Sequence, residues 1–130
     1  MSNLNTLYLS DSYGHDQELT LLDKHIITFL TSRGNKVSNL NLYSHRSGRE
    51  IFERTLSLLK TKPLLIVVVK EVYVLPITLI ALSFQQACRT VVFCSKKSYP
   101  QFELLTNKNL NLYPLLNQEQ IINTLKLYQL

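Results

Sequence analysis

The stretch Leu64-Leu65-Ile66-Val67-Val68-Val69 decides the fold. It is a continuous aliphatic run rich in valine and isoleucine, and no polar residue alternates with the apolar ones. A strand with one wet face would alternate. A strand covered on both faces reads like this one, as in the centre of a parallel sheet. Pro63 stands just before the run, and Lys70 and Glu71 follow it.

Both flanks read as helices. Upstream, Ser47-Gly48-Arg49-Glu50 has the S-x-x-E form of a capping box. Ile51, Phe52, Leu56 and Leu59 then give a buried helical face that ends before Pro63. Downstream, Pro76 to Ala87 reads as a helix that is apolar almost all round. Such a helix is either deeply buried or part of a subunit interface.

The same rhythm extends to both ends. Leu4 to Ser10 predicts a strand with Leu7 and Leu9 facing one way and Tyr8 the other. Asp16 to Arg33 predicts a helix on Leu19, Leu22, Ile26, Phe29 and Leu30, and Gly34 is its stop signal. Val37 to Tyr43 reads as a weaker strand in which Asn39 and Asn41 alternate with Leu40 and Leu42, as at a sheet edge. Thr90 to Ser95 and Leu110 to Tyr113 complete five strands. A short helix from Pro100 and a closing helix on Ile121, Ile122 and Leu125 complete the helices. Strands alternating with helices predict a flavodoxin-like α/β three-layer sandwich with a five-stranded parallel sheet. With 130 residues, the expected organisation is one domain over 1–130.

Composition excludes several classes. Hydrophobic residues make up 45% and charged residues 18%, too apolar for a disordered tail. The net charge of +5 is spread out: Lys96-Lys97 is the one adjacent basic pair, and Arg46, Arg49 and Arg54 form a loose group. No basic stripe interleaved with aromatics is present, which argues against a dedicated nucleic-acid module. Cys88 and Cys94 lack metal-ligand spacing and read as reduced core thiols. No metal site is expected. The opening residues lack a basic n-region and an uncharged h-region. Lys70, Glu71 and Pro76 interrupt the apolar stretch from Leu64 to Phe84, so no membrane span is expected and the default location is the cytosol.

Ligands of open parallel sheets sit outside the carboxyl ends of the strands. The loops to watch are therefore Ser10–His15, Ser44–Gly48, Lys70–Leu75 and Ser95–Pro100. Ser10, Asp11 and Ser12 suit a phosphate or ribose beside a helix start, and they also suit a simple turn. Arg46 and Arg49 could clamp an anion or stand in solvent. Glu71, Asp11 and Asp16 are the acids placed for acid–base work. Between Val72 and Phe102 there is no carboxylate at all. No phosphate loop, dinucleotide fingerprint or nucleophile elbow occurs. The candidate ligand-binding set is Ser10, Asp11, Ser12, Arg46, Arg49 and Glu71.

Read together, these segments resemble the Toll/interleukin-1 receptor (TIR) domain family. Leu7-Tyr8-Leu9-Ser10-Asp11-Ser12, followed by His15-Asp16 and Glu18-Leu19, is similar to the family's opening strand and helix. Ser47-Gly48-Arg49-Glu50-Ile51 resembles its BB loop, with Ser47 in place of proline. Lys60 to Lys62, Leu64 to Lys70 and Glu71-Val72-Tyr73 resemble its third strand and surroundings, and Val91 to Cys94 its fourth. The resemblance implies an association or signalling role of the innate-immune kind. Self-association or binding to another TIR domain would run through Ser44, His45, Arg46, Ser47, Gly48 and Arg49, with Leu79 and Leu82 of the third helix. Family members that hydrolyse NAD carry a glutamate on that helix, where this sequence has Leu82. Leucine accepts no hydrogen bond, so the resemblance implies no NAD hydrolase activity and no cofactor, with NAD or a related nucleotide at most a ligand.

A second resemblance is to the nucleoside 2-deoxyribosyltransferase-like N-glycosidases. They share the βαβ opening, and Thr78 to Arg89 matches the placing of their next helix and strand. Their glutamate and glycines are missing there. This resemblance implies a nucleotide-processing or nucleotide-sensing domain.

Overall fold

The computed structural model describes residues 5–10, 17–39, 48–61, 63–69, 80–81, 88–103, 110–114 and 117–128. Its elements are β1 (Asn5–Ser10), α1 (Gln17–Ser32), β2 (Lys36–Asn39), α2 (Gly48–Leu59), β3 (Leu64–Val69), β4 (Thr90–Cys94), α3 (Tyr99–Glu103), β5 (Leu110–Pro114) and α4 (Gln118–Lys126). Ile80 and Ala81 are also helical, inside the predicted third helix whose other residues lie outside the description. The five strands form one sheet in the order β2-β1-β3-β4-β5. Every pairing is parallel. This is the flavodoxin-like α/β architecture expected from the sequence.

β3 occupies the centre, and all six of its residues are buried. Leu65, Val67 and Val69 enter one apolar cluster with Leu7, Leu9, Leu59, Ile80 and Phe102. Leu64, Ile66 and Val68 enter another with Tyr8, Leu19, Ile26, Leu30, Ile121 and Leu125. The unbroken run thus serves two cores: α2 and α3 cover one face, and α1 and α4 the other. Burying an aliphatic side chain of this size contributes roughly 1.5–3 kcal/mol. A polar residue anywhere on β3 would therefore lose that term and add a desolvation cost.

Local signals set the ends of the elements. Gly34 has φ 87°, a left-handed conformation that costs glycine little. Its N–H donates to the Thr31 carbonyl, and the Asn35 N–H to the Leu30 carbonyl, so α1 ends in a Schellman motif. Asn117 caps α4. Its side chain accepts from the Gln120 N–H, and the Gln120 side chain accepts from the Asn117 N–H. The Tyr113 and Tyr128 hydroxyls meet at 2.7 Å, tying β5 to the end of α4, and the Arg89 guanidinium lies 5.0 Å from the Tyr128 ring centroid. β2 and β5 are the edges, as the alternation after Val37 predicts for β2. The described part of β2 stops at Asn39.

His25 is exposed on α1. Both cysteines are buried and free. Among the described residues, no helix is long and apolar enough to cross a membrane.

On the α1 side of β1, Thr6 is 1% exposed and its hydroxyl has no hydrogen-bond partner among the described residues. An orphaned buried hydroxyl is a liability that an isosteric methyl removes. The variant Thr6→Val is expected to gain about 1 kcal/mol, read as a higher midpoint in chemical denaturation.

Candidate functional site at the carboxyl ends of the strands

The strand order reverses direction between β1 and β3. In open α/β sheets such a switch point is where ligands are taken, outside the carboxyl ends of the strands. Ser10, the last residue of β1, stands opposite Val68 of β3. Val69 in turn stands opposite Cys94, the last residue of β4. These three chain ends frame the candidate site.

Below its β1 edge lies a polar cluster. The Tyr8 hydroxyl donates to one carboxylate oxygen of Asp23 and the Ser10 hydroxyl to the other, each at 2.6 Å. Ser10 is fully buried, and Asp23 is 6% exposed. Tyr8 and Ser10 are two apart on a strand, so they share the face that meets α1. Asp23 sits between Leu19 and Ile26 on the buried stripe of α1. A carboxylate taken out of water needs strong donors, and hydrogen bonds to an ionised oxygen are among the strongest a protein makes.

The β4 edge is different in character. Ser95 to Ser98 form a turn closed by the Ser98 N–H donating to the Ser95 carbonyl at 3.0 Å. The two serine hydroxyls stand 3.4 Å apart. Lys96 and Lys97, the adjacent basic pair, are both exposed on this turn. They bring positive charge to the carboxyl end of the sheet. Cys94 beneath them is buried, and that burial pushes its thiol up to about 11. It therefore stays a protonated, unreactive thiol through the neutral range.

Ser10 is the sequence candidate whose side chain the structure describes, and its hydroxyl is committed to Asp23. Gly48 and Arg49 open α2, with the Arg49 side chain outside the described residues. Asp11, Ser12, Ser44, His45, Arg46, Ser47, Glu71, Leu79 and Leu82 lie outside them too, as does Asp16. Sequence reasoning missed Asp23. Its signal was an acid inside an apolar helical stripe, facing the strand side that carries Tyr8 and Ser10. Among the described residues, no group of three metal-ligating side chains comes together. A cavity of about 110 Å³ lies at the opposite, amino end of the strands, lined by Asn5, Leu7, Lys36, Ser38, Leu58 and Thr61 among others.

No family model and no curated protein matches the sequence. Among solved structures, the chain is similar to the CMP N-glycosidase BcmB of Clostridium botulinum, with a TM-score of 0.72. The match covers 95% of this chain and 99% of that one, at 16% sequence identity. A likeness at that identity establishes the fold. The neighbour's activity is of the class that the second sequence resemblance named, and nothing in the comparisons bears on the TIR resemblance.

Two outcomes follow from this geometry. Asp23→Ala takes the carboxylate acceptor from two buried hydroxyls and is expected to cost about 2–3 kcal/mol, measured by denaturant unfolding. Neither cysteine of the native protein is expected to react with a thiol reagent at pH 8, whereas both react once the chain is unfolded.

Proposed function

We propose that the chain is a nucleotide-binding domain of the N-glycosidase kind. It takes a nucleoside 5′-monophosphate across the carboxyl ends of β1, β3 and β4. The observation that carries this reading is the end-to-end likeness to a CMP N-glycosidase, over 95% of this chain and 99% of the other. The charge distribution supports it. Lys96 and Lys97 stand exposed at the β4 mouth, where a phosphate monoester would find cations.

Hydrolysis of such a nucleotide adds water to the anomeric carbon, breaks its bond to the base nitrogen and releases the free base and ribose 5-phosphate. The reaction needs a carboxylate to manage charge and proton, and no redox or group-carrying cofactor. The segment Pro76 to Ala87 offers none, since no acid occurs between Val72 and Phe102. Glu71, two residues beyond the end of β3, is the acid the sequence supplies at that mouth, and we assign it the role. The rival reading, a TIR-type association through Ser44–Arg49, Leu79 and Leu82, stands on sequence resemblance alone.

The test is incubation with CMP, followed by chromatography for free cytosine. Cytosine release is expected, with a loss of roughly 100-fold or more in Glu71→Gln while calorimetric binding of CMP persists. Binding without release would remove the catalytic half and leave a sensing domain. Failure to bind any nucleoside monophosphate would overturn the reading.

A further inference from the structure

Asp23 is the one buried carboxylate among the described residues, and the proposed chemistry does not use it. We propose that it is a positioning residue for the nucleotide site. It acts through Ser10 and Tyr8 by fixing the carboxyl end of β1 against α1, an inference that rests on the nucleotide reading above.

The connectivity gives the reason. Ser10 is the last residue of β1, and residues 11–16 join it to α1, which begins at Gln17. Asp23 lies on the second turn of α1 and grips Ser10 itself. The two elements that this connection joins are therefore tied to each other. Tyr8, one pleat further down the same face, takes the second carboxylate oxygen. Two bonds of 2.6 Å to separate oxygens hold both the height of α1 along β1 and its rotation about its own axis. Apolar contact alone, which is non-directional, would hold neither so tightly.

Stability alone does not call for this arrangement. The neighbours on the stripe, Leu19, Ile26 and Leu30, are buried and apolar. Replacing Asp23 together with its partners Tyr8 and Ser10 by packed apolar side chains would extend that stripe without the desolvation cost of a carboxylate, and such replacement of a whole buried polar cluster is often neutral or stabilising. What the carboxylate adds is geometry, and it adds it at the carboxyl end of β1, next to the β1/β3 switch point. Small displacements at such a place are costly, since about 1 Å of misplacement can lower a rate roughly 100-fold.

The experiment compares wild type with Asp23→Asn, Tyr8→Phe and Ser10→Ala, each titrated calorimetrically with CMP well below its own melting temperature. Tyr8→Phe and Ser10→Ala each remove one of the two hydroxyl bonds to Asp23 and keep the carboxylate, so they serve if the asparagine variant does not fold. Positioning predicts that Kd rises at least tenfold in Ser10→Ala and in Asp23→Asn, and less in Tyr8→Phe, while stoichiometry stays at one per chain. A purely structural role would lower the melting temperature and leave Kd unchanged. Kd within twofold of wild type in every folded variant overturns the inference while leaving nucleotide binding intact. A wild type that binds no CMP overturns both.

Discussion

Everything in this chain follows from a strand that has to be dry on both faces. β3 presents three side chains to each of two apolar clusters, so helices must cover the sheet above and below. Parallel neighbours then require crossover connections, which return each strand's start to the same end of the sheet. The polar chemistry is forced outward by the same constraint. It sits most readily at strand ends, on the edge strands, or where it finds hydrogen-bond partners, and the orphaned Thr6 hydroxyl is an exception. Asp23 has one hydroxyl donor on each carboxylate oxygen, from Tyr8 and Ser10, and it lies next to the end where ligands of such sheets bind.

Much of this was legible in the residues. The Leu64–Val69 run marked the centre of the sheet because no polar residue interrupts it. Leu7 and Leu9 against Tyr8 gave the two faces of β1, and Gly34 gave the end of α1 because its conformation has a local cause. What was not legible depends on contacts between distant residues. Asp23 on its own looks like one more charge on an amphipathic helix. It becomes a buried group when strand and helix meet, 13 and 15 residues from its partners along the chain. The capping box at Asn117 escaped because it uses asparagine and glutamine in place of the commoner serine and glutamate.

The two family resemblances share their strongest motifs, and the fold explains why. An aliphatic strand, a polar turn and a capped helix are what any flavodoxin-like sheet demands of its opening βα units. Residues such as Leu7 to Ser10 or Gly48 to Glu50 therefore carry the architecture more than the family. The discriminating feature is the segment Pro76 to Ala87, where the two resemblances imply a glutamate and this chain has none. That gap is why the proposed function turns to Glu71, two residues after β3 in the sequence, for its acid. It also gives weight to the charges that remain at the same end, Lys96 and Lys97.

The proposed function places a nucleotide over the carboxyl ends of β1, β3 and β4. Backbone amide shifts recorded during a CMP titration test it most directly. The account predicts that the perturbed amides gather at Ser10, Val69 and the turn from Ser95 to Ser98. Perturbations gathered instead at Asn5, Lys36 and Thr61, around the amino-end cavity, or no perturbation at all, would contradict it.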